Sequence, residues 1–170
     1  VLSERHSGRL PRVVLGWAVP LDDLGTRADR VLGARVFVRT IAGGLGSIAG
    51  ARVIGSDAGV VGSGACAWLA ADVPEAHLAG LANYVAALGS RAAVDGAFDA
   101  VLAHEREREI WRRDEPTEAL MAITARIIAN DPPQESDSGA AAVASVLAAS
   151  PVRAVIGLPA PPTPSTPARP

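Results

Sequence analysis

The spacing of apolar positions changes near residue 74. Before it, short β-branched or alternating runs are separated by glycine-rich stretches. After it, apolar residues recur at helical intervals. "RVVLGWAVP" (12–20) is an apolar run closed by Pro20 and predicts a strand. "ARVFVRTIA" (34–42) alternates, with Val36, Val38 and Thr40 on one face and Arg35, Phe37, Arg39 and Ile41 on the other, and predicts a second. Residues 51–56 and 65–73 predict two more, the last closed by Pro74, because the residue before a proline is pushed to extended geometry. "VRAVIGL" (152–158) predicts a late strand. Residues 22–33 are open to two readings: a short helix ended by Gly33, or a loop.

Leu78, Leu81, Val85 and Leu88 share one face of a helix over 74–88, with Glu75 suited to its positive end. A second helix is expected over 90–113, capped by Ser90, with Val94, Phe98, Val101 and Leu102 as its stripe. A third is expected over 115–130, carrying Leu120, Ile123, Ile127 and Ile128, and residues 140–150 suit a short Ala-rich helix. Strands first and helices after point to an α+β fold, a small mixed or antiparallel sheet packed by about three helices. Residues 1–11 are expected to be loose, 12–158 to form one domain with a polar linker at 132–141, and 159–170 to be a Pro-rich extended tail.

Composition narrows the chemistry. All 16 basic residues are Arg, which removes the Walker A loop, the kinase fold and PLP catalysis, each of which needs a Lys. The Arg, Ala, Gly, Val and Pro bias fits a high-GC bacterial genome. A net charge of −2 gives no general field toward nucleic acid or an anionic membrane. One cysteine, Cys66, excludes an internal disulfide and any Cys-x-x-Cys pair, which fits a cytoplasmic setting. Neither a signal-type apolar run nor an 18-residue apolar span is present.

"HEREREIWRR" (104–113) begins like the zinc-protease signature His-Glu-x-x-His, but its second ligand position is Arg108, and a guanidinium cannot coordinate a cation. No metal and no cofactor are therefore expected. Arg106, Arg108, Arg112 and Arg113 are neutralised by neighbouring acids, so a nucleic-acid surface is not expected either. Glu105–Arg108 and Glu109–Arg112 are i,i+3 pairs, and residues 104–109 lack an apolar side chain. This pattern predicts a helix that leaves the body there and regains apolar contact at Ile110 and Trp111, so Trp111, Ile110, Arg108 and Arg112 are the candidate interface.

Gly44, Gly46 and Ser47 follow the 34–42 run as a phosphate loop should, yet no helix is expected to start there and Asp57 is too near to be a ribose acid. A tight turn is the plainer reading, and a small anion on clustered N–H groups is the functional one. Cys66 is a nucleophile only if a base such as His77 lies beside it; otherwise it is a small core residue. His77 borders an apolar stripe, and Cys66, His77 and Asp57 are the candidates for an acid–base or nucleophilic site. Few catalytic residue types, a mixed-charge helix and a Pro-rich tail together favour a non-catalytic module that binds itself or another protein. The alternatives are a small cytoplasmic enzyme at Cys66 or a His/Asp pair, and a regulatory domain for a small anion.

Overall fold

The computed structural model describes residues 3–6, 10–20, 24–113 and 137–159, together with positions 117, 120 and 124. The fold is α+β. Its strands are β1 (Ser3–His6), β2 (Arg12–Pro20), β3 (Arg52–Val61), β4 (Gly64–Asp72) and β5 (Arg153–Pro159). Its helices are α1 (Arg27–Gly46), α2 (Leu81–Val94), α3 (Ala97–Arg113) and α4 (Asp137–Ala148), with a 3₁₀ turn at Glu75–His77. The five strands form one mixed sheet in the order β1-β5-β2-β4-β3. β1 runs parallel to β5, and the other pairs are antiparallel. β2 and β3 therefore point the same way, with β4 inserted between them and α1 crossing from one to the other, a split βαβ unit.

The expected strands at 12–20, 51–56, 65–73 and 152–158 are present as β2, β3, β4 and β5. The expected strand at 34–42 is instead the middle of α1, and 22–33 contributes that helix's start. Thr26 caps α1: its Oγ1 accepts from the Asp29 N–H at 3.2 Å, while Asp29 Oδ2 accepts from the Thr26 N–H at 2.8 Å. The run misleads because α1 lies against β3, β4 and the three other described helices. Val36, Phe37 and Val38 are consecutive and all buried, so no single face is apolar and the helical period is erased. Burial outweighs the modest helix penalty of Val and Ile. Phe37, fully enclosed, contributes about 1.5–3 kcal/mol of transfer free energy and meets Trp17 edge to face at 5.0 Å.

The helix expected over 74–88 becomes the 3₁₀ turn and then α2, and the one expected over 90–113 breaks at Asp95-Gly96. Gly96 adopts φ +70, which a glycine takes without strain, and so ends α2 before α3 begins. Ser90 lies inside α2 rather than capping a new helix. Within the segment 1–11, expected to be loose, Ser3–His6 pair with Ile156–Pro159 as an edge strand. Most of the helix expected over 115–130 and the tail 160–170 lie outside the described residues.

The four described helices cover the same side of the sheet. Val13, Leu15 and Trp17 of β2 and Ala65, Ala67, Leu69 and Ala71 of β4 are buried on that side, together with Ile41, Leu45, Val143 and Leu147 from α1 and α4. The alternate positions of the same strands face outward, where no helix lies among the described residues.

Candidate functional site

Among the described residues, two clefts and one face of the sheet offer surfaces to a partner. The first cleft lies where α1 passes β3, an edge strand among the described residues, and has a volume of about 390 Å³. Arg35, Val38 and Arg39 line it from α1, and Ser56, Asp57 and Ala58 from β3. Arg35 and Arg39 are four residues apart and so stand on one helix face. Arg39 Nη1 donates to Glu105 Oε1 of α3, and Arg108 Nη1 lies 3.9 Å from the same oxygen. Glu105 is only 5% exposed, so α3 does not leave the body at residue 104 as its polar run suggests. A carboxylate can lie on the body here because α1 supplies its counter-charge. The second cleft, about 460 Å³, is lined mainly by apolar groups, among them Trp17, Phe37, Val85, Ala148 and Val152.

The sequence candidates do not converge. Cys66 is half-buried on the outward face of β4, not in the core, and its Sγ–H donates to the Gly59 carbonyl at 3.5 Å. Asp57 is near it, on β3 opposite Trp68, and its Oδ1 accepts from the Ala58 N–H at 2.8 Å. His77 lies beyond Asp72, and Cys66 to Asp72 alone spans about 20 Å of strand; His77 is exposed in its 3₁₀ turn. Cys66 and His77 therefore do not pair.

Gly44 and Gly46 close the last turn of α1, and Ser47 is its C-cap. This is the carbonyl end of a helix, where the dipole repels an anion. Ser47 Oγ and Tyr84 Oη both donate to the Gly44 carbonyl, at 2.6 and 3.2 Å. Gly44 lies against a neighbour instead, since a Cβ on it would meet Leu88 Cδ1 at 2.5 Å, whereas a Cβ on Gly46 would meet nothing within 4 Å. The stretch resembles a phosphate loop only while 34–42 is read as a strand; with a helix there, the polarity of the turn is reversed.

Of the expected interface residues, Arg108 is exposed beside Glu105, while the side chains of Ile110, Trp111 and Arg112 lie outside the described residues. Several exposed apolar side chains gather on the outward sheet face. Val14 is 38% exposed, Trp68 45% and Val155 36%, with Ile54 at the β3 bulge 44% exposed. The strand pattern carries a signal for this face, since Trp68 has the opposite parity to Ala67 and Leu69. At one end of it Asp72 accepts from Arg12 Nε at 3.0 Å and from Arg52 Nη2 at 3.3 Å. The Arg12 hydrogen bond is the main reason its carboxyl titrates below the ordinary range, against the opposing effect of burial.

No group of three or more His, Cys, Asp or Glu among the described residues could hold a metal ion, and no described helix is long and apolar enough to cross a membrane. No family model matches the sequence, and neither does any curated protein. Solved structures do resemble it. The periplasmic protease PqqL from Escherichia coli matches with a TM-score of 0.67 at 11% identity, over 94% of this chain and 20% of that one. The ferredoxin protease FusC, solved in complex with Arabidopsis ferredoxin, matches with a TM-score of 0.61 at 16% identity, over 94% and 20%. An M16-like peptidase from Alicyclobacillus acidocaldarius matches with a TM-score of 0.57 at 12% identity, over 93% and 43%. This chain thus spans between a fifth and somewhat under half of those chains. Helical zinc-peptidase signatures set two His four residues apart, as His-Glu-x-x-His or His-x-x-Glu-His. Here His104, Glu105 and Glu107 begin either pattern, and Arg108 ends both. The likeness is one of fold: the chain is built like one part of an M16-like peptidase.

Proposed function

We propose that this chain is a non-catalytic domain of peptidase fold that works by assembly, joining a second copy of itself or another domain of the same fold. The observation that carries this reading is the uncovered sheet face, where Val14, Trp68 and Val155 are 36–45% exposed on an otherwise one-sided layer. Exposed aromatic and β-branched side chains grouped on one flat surface mark an interaction site. The neighbours lend support in that each holds this fold within a longer chain, and one of them is bound to a protein. The non-catalytic part of the reading is supported by Arg108 at the second ligand position and by the separation of Cys66 from His77. A lone cysteine suits the reducing cytoplasm, the compartment we propose.

The test is the particle mass of the purified chain in solution, read with its zinc content after incubation with zinc. A particle of at least twice the 17.3 kDa chain mass, holding no stoichiometric zinc, is expected. A single-chain particle at every concentration would overturn self-association. One tightly held zinc per chain with peptide hydrolysis would overturn the non-catalytic reading.

A further inference from the structure

The strand register fixes the order of side chains across the open face. Asp57 of β3 is paired with Trp68 of β4, Trp68 with Gly16 of β2, and Gly16 with Arg153 of β5. One row across the sheet therefore reads Asp57, Trp68, Gly16, Arg153. The next outward-facing row reads Gly55, Ala70, Val14, Val155. Each row is complementary to itself read backwards. Reversal sets acid against base, Trp68 against Gly16, Val14 against Ala70, and Val155 against Gly55.

The relief matches this order. Trp68 leans toward β3, its ring 3.5 Å from where a Cβ on Gly55 would stand, while a Cβ on Gly16 would meet nothing within 4 Å. In the first row the ridge is Trp68, on the β4–β3 side, and the hollow is Gly16 on β2; in the next row Val14 and Val155 stand up on the β2–β5 side. Asp57, Trp68 and Arg153 are all exposed.

We propose that a second copy of this chain docks sheet to sheet on this face, about a two-fold axis that lies between the layers and runs along the strands between β2 and β4. This rests on the assembly reading above and names its surface and its partner. Such an axis performs the reversal described: the ridge of each copy enters the hollow of the other, and Asp57 of each copy meets Arg153 of the other, twice in all. An isologous contact of this kind closes at two copies. The facing strands of the two copies then run nearly parallel, within the roughly 30° range of aligned sheet packing. The four strands that face their counterparts, β5, β2, β4 and β3, about 4.8 Å apart and about nine residues of about 3.3 Å long, give a face on the order of 600 Å². Two such faces come to roughly 1,200 Å² in all, the small end of specific interfaces, which suits a concentration-dependent dimer.

Sedimentation equilibrium on the full chain tests this with Asp57→Arg, Arg153→Asp, the double reversal and Val14→Asp, each checked for native circular dichroism. Each single reversal sets like charges face to face and should weaken the dimer roughly tenfold or more, and the double reversal should restore it. Val14→Asp should yield monomer. If the wild-type chain is a dimer but both single reversals leave its dissociation constant unchanged, this docking mode is overturned, while assembly through another surface stands. A Val14→Asp chain that still forms the dimer overturns the docking mode in the same way. A wild-type chain that is monomeric throughout overturns self-association itself, and this docking mode with it.

Discussion

The pair Arg39–Glu105 shows how much one buried charge can decide. Glu105 is 5% exposed and Arg39 30%, so the two partners are not equivalent. Removing Arg39 leaves a buried carboxylate with Arg108 at 3.9 Å as compensation, whereas removing Glu105 leaves a guanidinium that can turn to water. Arg39→Met should therefore cost about 3 kcal/mol, near the lower end for breaking a buried pair. Glu105→Leu should cost about 1–2 kcal/mol, and the double variant should recover most of the larger loss. Urea unfolding with an unchanged slope measures all three, and equal costs for the two single variants would contradict this account. Asp72 makes a pH-dependent contribution. Its folded pKa lies below the usual carboxylate value because of Arg12 first and Arg52 second. The resulting stabilisation is fully present above that usual value, ~3.9, and is lost as pH falls through the lower folded-state pKa. The melting temperature of the wild type should thus fall more steeply than that of Asp72→Asn as pH drops from about 5 to 2. Neither pair is legible in the sequence. Arg39 sits in a run that reads as a strand, and Glu105 in one that reads as solvated; only the crossing of α1 and α3 brings them together.

At the scale of the element, α1 is where sequence and structure part most. Its apolar residues surround the helix because it is packed on several sides, and alternation over nine residues then imitates a strand. Its glycines hold the information that the pattern conceals. A Cβ on Gly33 would lie 2.4 Å from the Ala140 carbonyl oxygen and 2.6 Å from Val143 Cβ, so α1 and α4 cross almost backbone to backbone. On Gly44 the same Cβ meets only the flexible end of Leu88. Alanine gains up to about 1 kcal/mol in helix propensity at either place. Overpacking against a backbone atom costs about 1–3 kcal/mol or more, because α4 must move as a unit. Gly33→Ala should therefore destabilise by about 2 kcal/mol, and Gly44→Ala should lie within about 1 kcal/mol of wild type, by chemical denaturation. A Gly33→Ala protein as stable as the parent would show that α4 is not seated as described. By contrast β2, β4 and β5 are legible. The β-branched runs of β2 and β5 and the prolines that limit β2 and β4 are local signals that the packing confirms rather than overrides.

At the scale of the molecule, the strands are readable, but their order is not. Nothing in the local pattern tells that β4 inserts between β2 and β3, or that β1 and β5, far apart in sequence, meet as a pair; these are non-local choices made by burial. The order has a measurable consequence. β2 is paired on both sides, by β4 and β5, and β4 on both sides, by β2 and β3. Among the described residues β1 and β3 are paired on one side only, and α1 is enclosed between the sheet and the other described helices. Amides that exchange only on global unfolding should therefore lie in β2, β4 and α1. Those of β1, and the β3 amides that point away from β4, should exchange by local opening at least about a hundredfold faster. Docking of a second copy on the open sheet face adds no backbone hydrogen bond to either edge. The ranking should then hold in the dimer as in the monomer, while side chains such as Trp68 change environment. Hydrogen exchange read by mass or NMR, at concentrations on either side of the association midpoint, separates the two effects. Protection of β3 that rises to the level of β4 only at high concentration would mean that copies join edge to edge, by extending the sheet, instead of face to face.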